Sequence, residues 1–528
     1  MVTARPVPKS ELGPEKPEKG AVVNLGNDVE TARFSGCRKT RSQPLLARRR
    51  RTSEKSVFGC IFFFLRRAKV VRFTSMRFAL KPARRKMRFL PLIAATFFMV
   101  SGGPYAIEDI LGGAGFGRAI VILLVLPVLW CLPTALMIGE LASAIPAEGG
   151  FYIWVRRALG PFWGYQEGWL SLSASIFDMA LYPAIFVLYL GKFSPALTDG
   201  WYGYAWSLAV VVLCCLWNLR GAPAVGDDSL WMSALLLAPF AVFVVLGLWH
   251  GIAVHPQVQW GISASGAASE SALSMALLVA MWNYMGWDNA STVAQEVENP
   301  QRNYPRAMIV TTILVAVAYI LPLTAMALSG LSASSFKTGD WMTAATSVGG
   351  PLLGLAVAAG GVITGVGMFN ALVMSYTRLP MAMAEDGMLP RVVARRNSRG
   401  VPWVSVLLCG LAWAMALKLP FEKLISIDLI LYGSSLLLEF VALIVLRLRE
   451  PNLERPFKAG NLAFAASLGV GPAALIGYAL YACRSEKLMG TTSALLFAVV
   501  VGLLGPVLYW ATAAPRARRR LAAAQAAD

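Results

Sequence analysis

Three acidic side chains stand inside apolar segments of this chain. Glu108 follows the interruption in FFMV-SGGPYAIED-ILGG, Asp178 lies in SLSASIFDMALYPAIF, and Asp288 lies in ALLVAM-WNYMGWDN-ASTVAQEVENP. A carboxylate far from the ends of an apolar segment is costly to bury, and its usual work is to bind a cation or move a proton. The centres of these three segments hold no lysine or arginine, so the local electrostatics favours a cationic ligand. For Asp178, whose helical neighbours include Ala174 and Tyr182, a polar partner on an adjacent helix is the structural alternative to substrate or proton coupling.

Two broken segments must position these acids. The first break runs from Ser101 to Asp109. Gly102 and Gly103 lack side chains and Pro104 lacks an amide donor, so a helix cannot pass through all three unchanged. Unwound backbone over residues 102–106 is expected to face a cavity, because freed backbone at membrane depth is tolerated only there. The helix resuming near Ile107 turns its N-terminal dipole toward that cavity. Glu108 and Asp109 fall in its first turn, either as caps of the helix or as cavity groups. The second break, around Asn283 to Asn289, contains Asn283, Gly286, Asp288 and Asn289 flanked by Trp282, Tyr284 and Trp287. Aromatic rings at such a place can stack on a cationic amine or simply pack against a neighbour. Paired interruptions in the two halves of a long apolar chain point to a transporter substrate site near the bilayer midplane.

The composition agrees with a membrane protein. Of 528 residues, 57% are hydrophobic and 15% charged. The net charge is +19, and residues 1–88 account for +17 of it, with 23 lysines and arginines against 6 acids. A basic cytoplasmic tail beside a membrane explains this better than a nucleic-acid partner. Val57–Leu65 is apolar but too short to cross a bilayer, and residues 1–75 are expected to be disordered. The seven cysteines form no disulfide or metal pattern, and His250 and His255 suggest no metal site. Nucleotide-binding loops, HExxH and G-x-S-x-G are all absent, which argues against an enzyme.

Twelve apolar stretches are long enough to cross: 89–113, 118–143, 160–190, 203–219, 229–251, 271–296, 306–330, 350–376, 402–418, 426–446, 463–483 and 492–512. Beyond residue 88, placing both termini inside puts 18 basic residues on the inner side and seven on the outer. That bias orients the chain. Glu140 and Glu296, near inner ends, are expected to meet loop arginines. The connection from Arg378 to Pro402 reads as a short surface helix followed by a basic loop.

Several segments resemble the amino acid–polyamine–organocation superfamily: SGGPYAIED, the stretch GELASAIPAEGGFYIWVRRALGPFWGYQEGW at 139–169, and EVENPQRNYPRAM at 296–308. FDMALYP at 177–183 and WNYMGWDNASTVAQEVENP at 282–300 look most like plant-type polyamine uptake permeases and their bacterial relatives. The resemblance implies an all-α integral membrane fold of twelve helices in the LeuT-type 5+5 inverted repeat, 89–251 and 271–446. Helices one and six would be broken, and two extra helices would follow at the C-terminal end. Residues 1–87 would be a basic cytoplasmic tail, 88–512 the transporter domain and 513–528 a second cytoplasmic tail; Met76 and Met87 are alternative starts.

The expected function is import of polyamines or cationic amino acids across the plasma or inner membrane. The carrier would work by alternating access and proton symport, without a cofactor or metal. The expected substrate site comprises Ser101, Gly102, Gly103, Glu108, Asp178, Tyr182, Asn283, Trp287 and Asp288. Glu108, Asp178 and Asp288 are the proton-coupling candidates, and an aromatic near Trp287 would occlude the site. Thr364 and Ser375 are common helix residues, so sodium coupling is not expected. A neutral amino acid permease of the same fold is the alternative, and a non-transporting solute sensor the remote one.

Overall fold

The computed structural model describes residues 85–254, 270–333, 336–419, 421–489 and 492–516. Both expected tails therefore fall largely outside the described residues. The packed body begins slightly earlier than the expected boundary at residue 88. Met87 is buried, its amide donates to the Glu296 carbonyl at 2.8 Å, and its carbonyl accepts from Glu298 N at 2.9 Å.

The described residues are helical almost throughout. The helices are α1 Phe89–Val100, α2 Glu108–Leu126, α3 Leu132–Ala144, α4 Gly150–Leu159, α5 Pro161–Gly191, α6 Trp201–Asn218, α7 Ala222–Val254 and α8 Glu270–Trp282. They continue with α9 Pro300–Leu328, α10 Trp341–Tyr376, α11 Arg378–Glu385, α12 Trp403–Ala416, α13 Phe421–Arg449, α14 Leu462–Leu468, α15 Val470–Ala482 and α16 Ala494–Leu508. Two short antiparallel strands, Lys487–Met489 and Thr492–Ser493, are an addition to the expected all-helical pattern. Among the described residues nine helical stretches are long and apolar enough to cross a membrane, and Phe89–Val100, Ala272–Trp282 and Trp403–Ala416 are shorter apolar helices. The protein is a multi-pass membrane protein of all-α class.

The first two expected spans part at Gly115, which has φ 72° inside an otherwise continuous helical path. After the second break no α-helix resumes; Asp288–Thr292 and Ala294–Glu296 form 3-10 turns. The helix α11 is not a surface element, since Arg378 through Ala384 are buried.

The core is built around α5, which packs most extensively on α10 and α13, and around α1, which packs on α7, α9 and α10. The helices α15 and α16 lie against α13 with much of their apolar surface outward. That surface suits lipid.

Ion pairs collect at the end assigned to the cytoplasm. Arg447 Nε donates to Glu140 Oε1 at 2.8 Å, and Arg455 Nε lies 3.2 Å from the same oxygen. Arg378 Nε donates to Glu296 Oε1 at 2.7 Å. Glu140 and Glu296 thus meet arginines as expected. Arg396 bridges Glu148 at 2.7 Å and Glu385 at 2.6 Å. Partial burial works against the Arg396 charge, but the two carboxylates outweigh it and hold the guanidinium above its ordinary range.

Gly286 shows how tightly the two breaks fit. Its φ is +87°, and a Cβ there would overlap the Met99 carbonyl oxygen. Gly286→Ala is expected to cost about 2–4 kcal/mol through the left-handed backbone and the overlap. Gly477→Ala, at a helical position with open space around it, should leave the protein as stable or slightly more so. Thermal unfolding in detergent compares them; equal midpoints for the two variants would refute the packing account.

Candidate functional site

The helix α1 ends at Ser101, whose backbone is extended (φ −146°, ψ 135°), and α2 begins at Glu108. Between them Gly103 and Ala106 both adopt positive φ. Three of the unwound carbonyls are held by side chains from elsewhere in the fold. Thr364 Oγ1 of α10 donates to Gly102 O at 2.7 Å, and Trp341 Nε1 of α10 donates to Pro104 O at 2.6 Å. Asn283 Nδ2, in the second break, donates to Ala106 O at 3.3 Å. Gly103 N donates to Ser101 Oγ at 3.1 Å. A Cβ at Gly102 would overlap Thr364 Cγ2, so the missing side chain is what lets α10 approach. The Thr364 hydroxyl, considered above as a sodium ligand, holds this joint; Ser375 Oγ similarly donates to Asn289 Oδ1 at 2.8 Å.

Three tyrosines from α9 and α13 support the second break. Tyr319 OH of α9 donates to Asn283 O at 2.6 Å, and Tyr304 OH donates to Ala290 O at 2.6 Å. Tyr432 OH of α13 accepts from Gly286 N at 3.1 Å and donates to Asp288 Oδ1 at 2.5 Å.

Where the two breaks meet, a narrow cavity opens beside Asp178. It is lined by Met99, Val100, Asp178, Tyr182, Trp282, Asn283, Met285, Gly286, Met368, Tyr376 and Tyr432. Little of it is wide enough to admit more than a water molecule. A substrate larger than water must push these walls apart. Asp178 is the one carboxylate on the wall. Its Oδ1 accepts from Tyr182 OH at 2.5 Å and Trp282 Nε1 at 3.3 Å, and its Oδ2 accepts from Tyr376 OH at 3.1 Å. Tyr182 and Trp282 stack with ring centroids 6.1 Å apart. Two aromatic faces and a buried carboxylate make a fitting seat for an alkylammonium group.

The structure brings Asp178, Tyr182 and Asn283 together as expected. Asp288 stands one hydroxyl behind the wall, through Tyr432. Ser101, Gly102 and Gly103 shape the joint with α10 but do not line the cavity. Trp287 does not line it either: its Nε1 is turned to Tyr284 O at 2.9 Å, and Trp282 supplies the ring at the cavity instead. Trp282 ends α8 while Trp287 lies beyond the unwound turn, where helical spacing no longer sets direction. Glu108 does not converge with Asp178. It accepts from Tyr189 OH at 2.5 Å and Gly339 N at 3.0 Å, and its Oε2 has no hydrogen-bond partner. Asp109 accepts from Thr338 N at 2.9 Å. These two acids anchor the first turn of α2 to the segment before α10.

Sequence reasoning missed Tyr376 and Tyr432, since tyrosine in an apolar helix carries no local sign of facing a site. It also missed the buried acids Glu167, Asp428 and Glu439, although the criterion that selected Asp178 applies equally to IDLILYG and LLLEFVA.

The amino acid permease family model matches residues 92–523. The chain belongs to the amino acid permease family. It is 35% identical over 410 residues to the polyamine transporter PUT1 of Oryza sativa subsp. japonica, covering 75% of this chain and 74% of that one. It is 34% identical over 436 residues to the polyamine transporter RMV1 of Arabidopsis thaliana, covering 81% and 86%. A serine/threonine exchanger, SteT of Bacillus subtilis, is 26% identical over 392 residues, covering 72% and 85%. The resemblance read from the motifs is therefore correct, and membership in a family of permeases makes this chain a transporter rather than an enzyme.

Tyr432→Phe removes the partner of Gly286 N and one donor to Asp288. A loss of about 1–3 kcal/mol is expected from the stranded polar groups. Tyr478→Phe, which loses only a part-buried bond to Ser274, should cost less. Comparable unfolding midpoints for the two variants would show that Tyr432 does not support the break.

Proposed function

We propose that this permease is a secondary active importer of polyamines or cationic amino acids. The observation that carries this reading is Asp178: a carboxylate buried beside two aromatic rings, at the meeting point of two unwound segments, with three hydrogen-bond donors and no cationic side chain. A ligand ammonium supplies the missing countercharge. A neutral amino acid also brings an ammonium, but it adds a carboxylate to a region already rich in buried acids, which favours the cationic reading over the neutral permease. The names of the plant relatives point the same way.

In this proposal the nine long and three shorter apolar helices make twelve crossings, with α1 and the first turns of α2 forming the broken first span and α8 with its following turns the sixth. Repeats 89–251 and 271–446 rock about the central cavity to give alternating access. The cytoplasmic end carries the Glu140, Glu148 and Glu296 ion pairs, which close the inner side and part when it opens. The driving force is the proton gradient across the plasma or inner membrane, with Asp178 and Asp288 next to the substrate and Glu108 at the start of α2 as the groups that take up the proton.

Asp178→Asn tests the site. Losing the buried charge opposite an ammonium should cost about 2–5 kcal/mol of binding, roughly 30-fold or more in affinity. Uptake of labelled spermidine should collapse while the variant still reaches the membrane. Wild-type uptake by both Asp178→Asn and Asp288→Asn would remove the proposed site.

A further inference from the structure

Two deep carboxylates take no part in the site described so far. Glu439 of α13 is fully buried, and neither of its oxygens has a hydrogen-bond partner. Glu167 of α5 is equally buried; one oxygen accepts from Ser171 Oγ at 3.1 Å and the other has no partner. The two lie within electrostatic reach of each other and of Asp288. The buried arginines nearest in kind, Arg378 and Arg447, are committed to Glu296 and Glu140. Asp428 of α13 is also buried with both oxygens bare, and it lies within reach of Asp178 and Asp288.

The spacing of these acids is regular. Glu167 and Asp178 are eleven positions apart on α5, and Asp428 and Glu439 are eleven positions apart on α13. Eleven residues make close to three turns, so each pair shares one helix face and is separated by about 16 Å along the axis. The later acid of α13 meets the earlier acid of α5, so the two helices run antiparallel. The four acids therefore form two rungs, Asp178 with Asp428 and Glu167 with Glu439, and Asp288 of the second break is within electrostatic reach of both.

Like charges facing each other in a low-dielectric interior repel, and bare buried oxygens forfeit the hydrogen bonds they had in water. Tyr182, Trp282 and Tyr376 offset this for Asp178, and Ser171 does so for one oxygen of Glu167, but Asp428 and Glu439 gain no such partner. A cation between the members of each rung removes both penalties.

We propose that Glu167 and Glu439 form a second ammonium subsite, which takes the far end of a linear polyamine whose first ammonium sits at Asp178. The inference rests on the reading of this chain as a carrier of organic cations and narrows its substrate class to long linear polyamines such as spermine, whose terminal nitrogens can reach about 16 Å apart. A short diamine, or the one side-chain cation of an amino acid, cannot occupy both rungs. The second rung does not line the cavity as it stands, so the far ammonium reaches it as α5 and α13 part below Asp178.

The test compares binding of spermine and putrescine to full-length protein, for wild type, Glu439→Gln, Glu167→Gln and the double variant, with uptake measured in proteoliposomes. Spermine affinity should fall by about tenfold more than putrescine affinity, because only the longer amine loses a charge partner. Equal losses for the two amines would overturn the subsite. So would an unchanged length preference with loss of uphill accumulation, which would make the rung a proton carrier. Wild-type protein that moves neither amine would instead refute the proposed function. Glutamine removes a buried charge without a partner, so the variants should unfold no earlier than wild type. If Glu439→Gln does not fold, the same spermine-to-putrescine ratio is read from Glu167→Gln and from Glu439→Asp, and no change of ratio in either overturns the proposal.

Discussion

A carbonyl or amide freed in the middle of an apolar bundle has no water to turn to, and it must find its partner within the protein. Most of the architecture around the two breaks follows from this requirement. The first break spends Thr364, Trp341 and Asn283 on the carbonyls of Gly102, Pro104 and Ala106. The second engages Tyr319, Tyr304, Tyr432 and Ser375. These side chains come from α9, α10, α13 and the breaks themselves, so the unwound segments are bolted to the helices that surround the cavity. A displacement of α10 or α13 moves the cavity wall with it. In the proposed mechanism that coupling lets a rocking motion open and close the central site.

Charge is distributed by the same logic of partners. Arginine and glutamate meet at the end assigned to the cytoplasm, where Arg447, Arg378 and Arg396 each have a carboxylate within hydrogen-bond distance. Deeper in the bundle the pattern reverses: Asp178, Asp288, Asp428, Glu167 and Glu439 are buried without a basic side chain. Tyrosine hydroxyls and Trp282 soften this for Asp178 and Asp288, and nothing does so for Asp428 and Glu439. The interior is left one-sided in charge, and under the proposed function a transported cation is its counterweight.

Much of this was legible from residue order. Gly102-Gly103-Pro104 and the Asn283 to Asn289 interruption announced the breaks because these residue types act on the backbone itself, whatever packs nearby. Asp178 announced itself as an acid deep in an apolar run. The side chains that complete the cavity did not, because Tyr376, Tyr432 and Met368 look like ordinary core residues until the helices are placed. Helical phase was unreadable beyond the unwound turn, so Trp287 was expected where Trp282 stands. Glu108 was grouped with Asp178 by proximity to a break, but the helix that starts at Glu108 carries it toward Tyr189 and Gly339. The eleven-residue spacing of the four acids on α5 and α13 was visible in the sequence. It gained meaning only once the two helices were seen to pack against each other.

The central claim is that this bundle carries organic cations, and wild-type flux decides it. Purified protein in proteoliposomes should accumulate labelled spermidine or arginine well above leucine, and more strongly when the outside is made acidic than without a pH gradient. Leucine uptake equal to or above that of both cations would contradict the account.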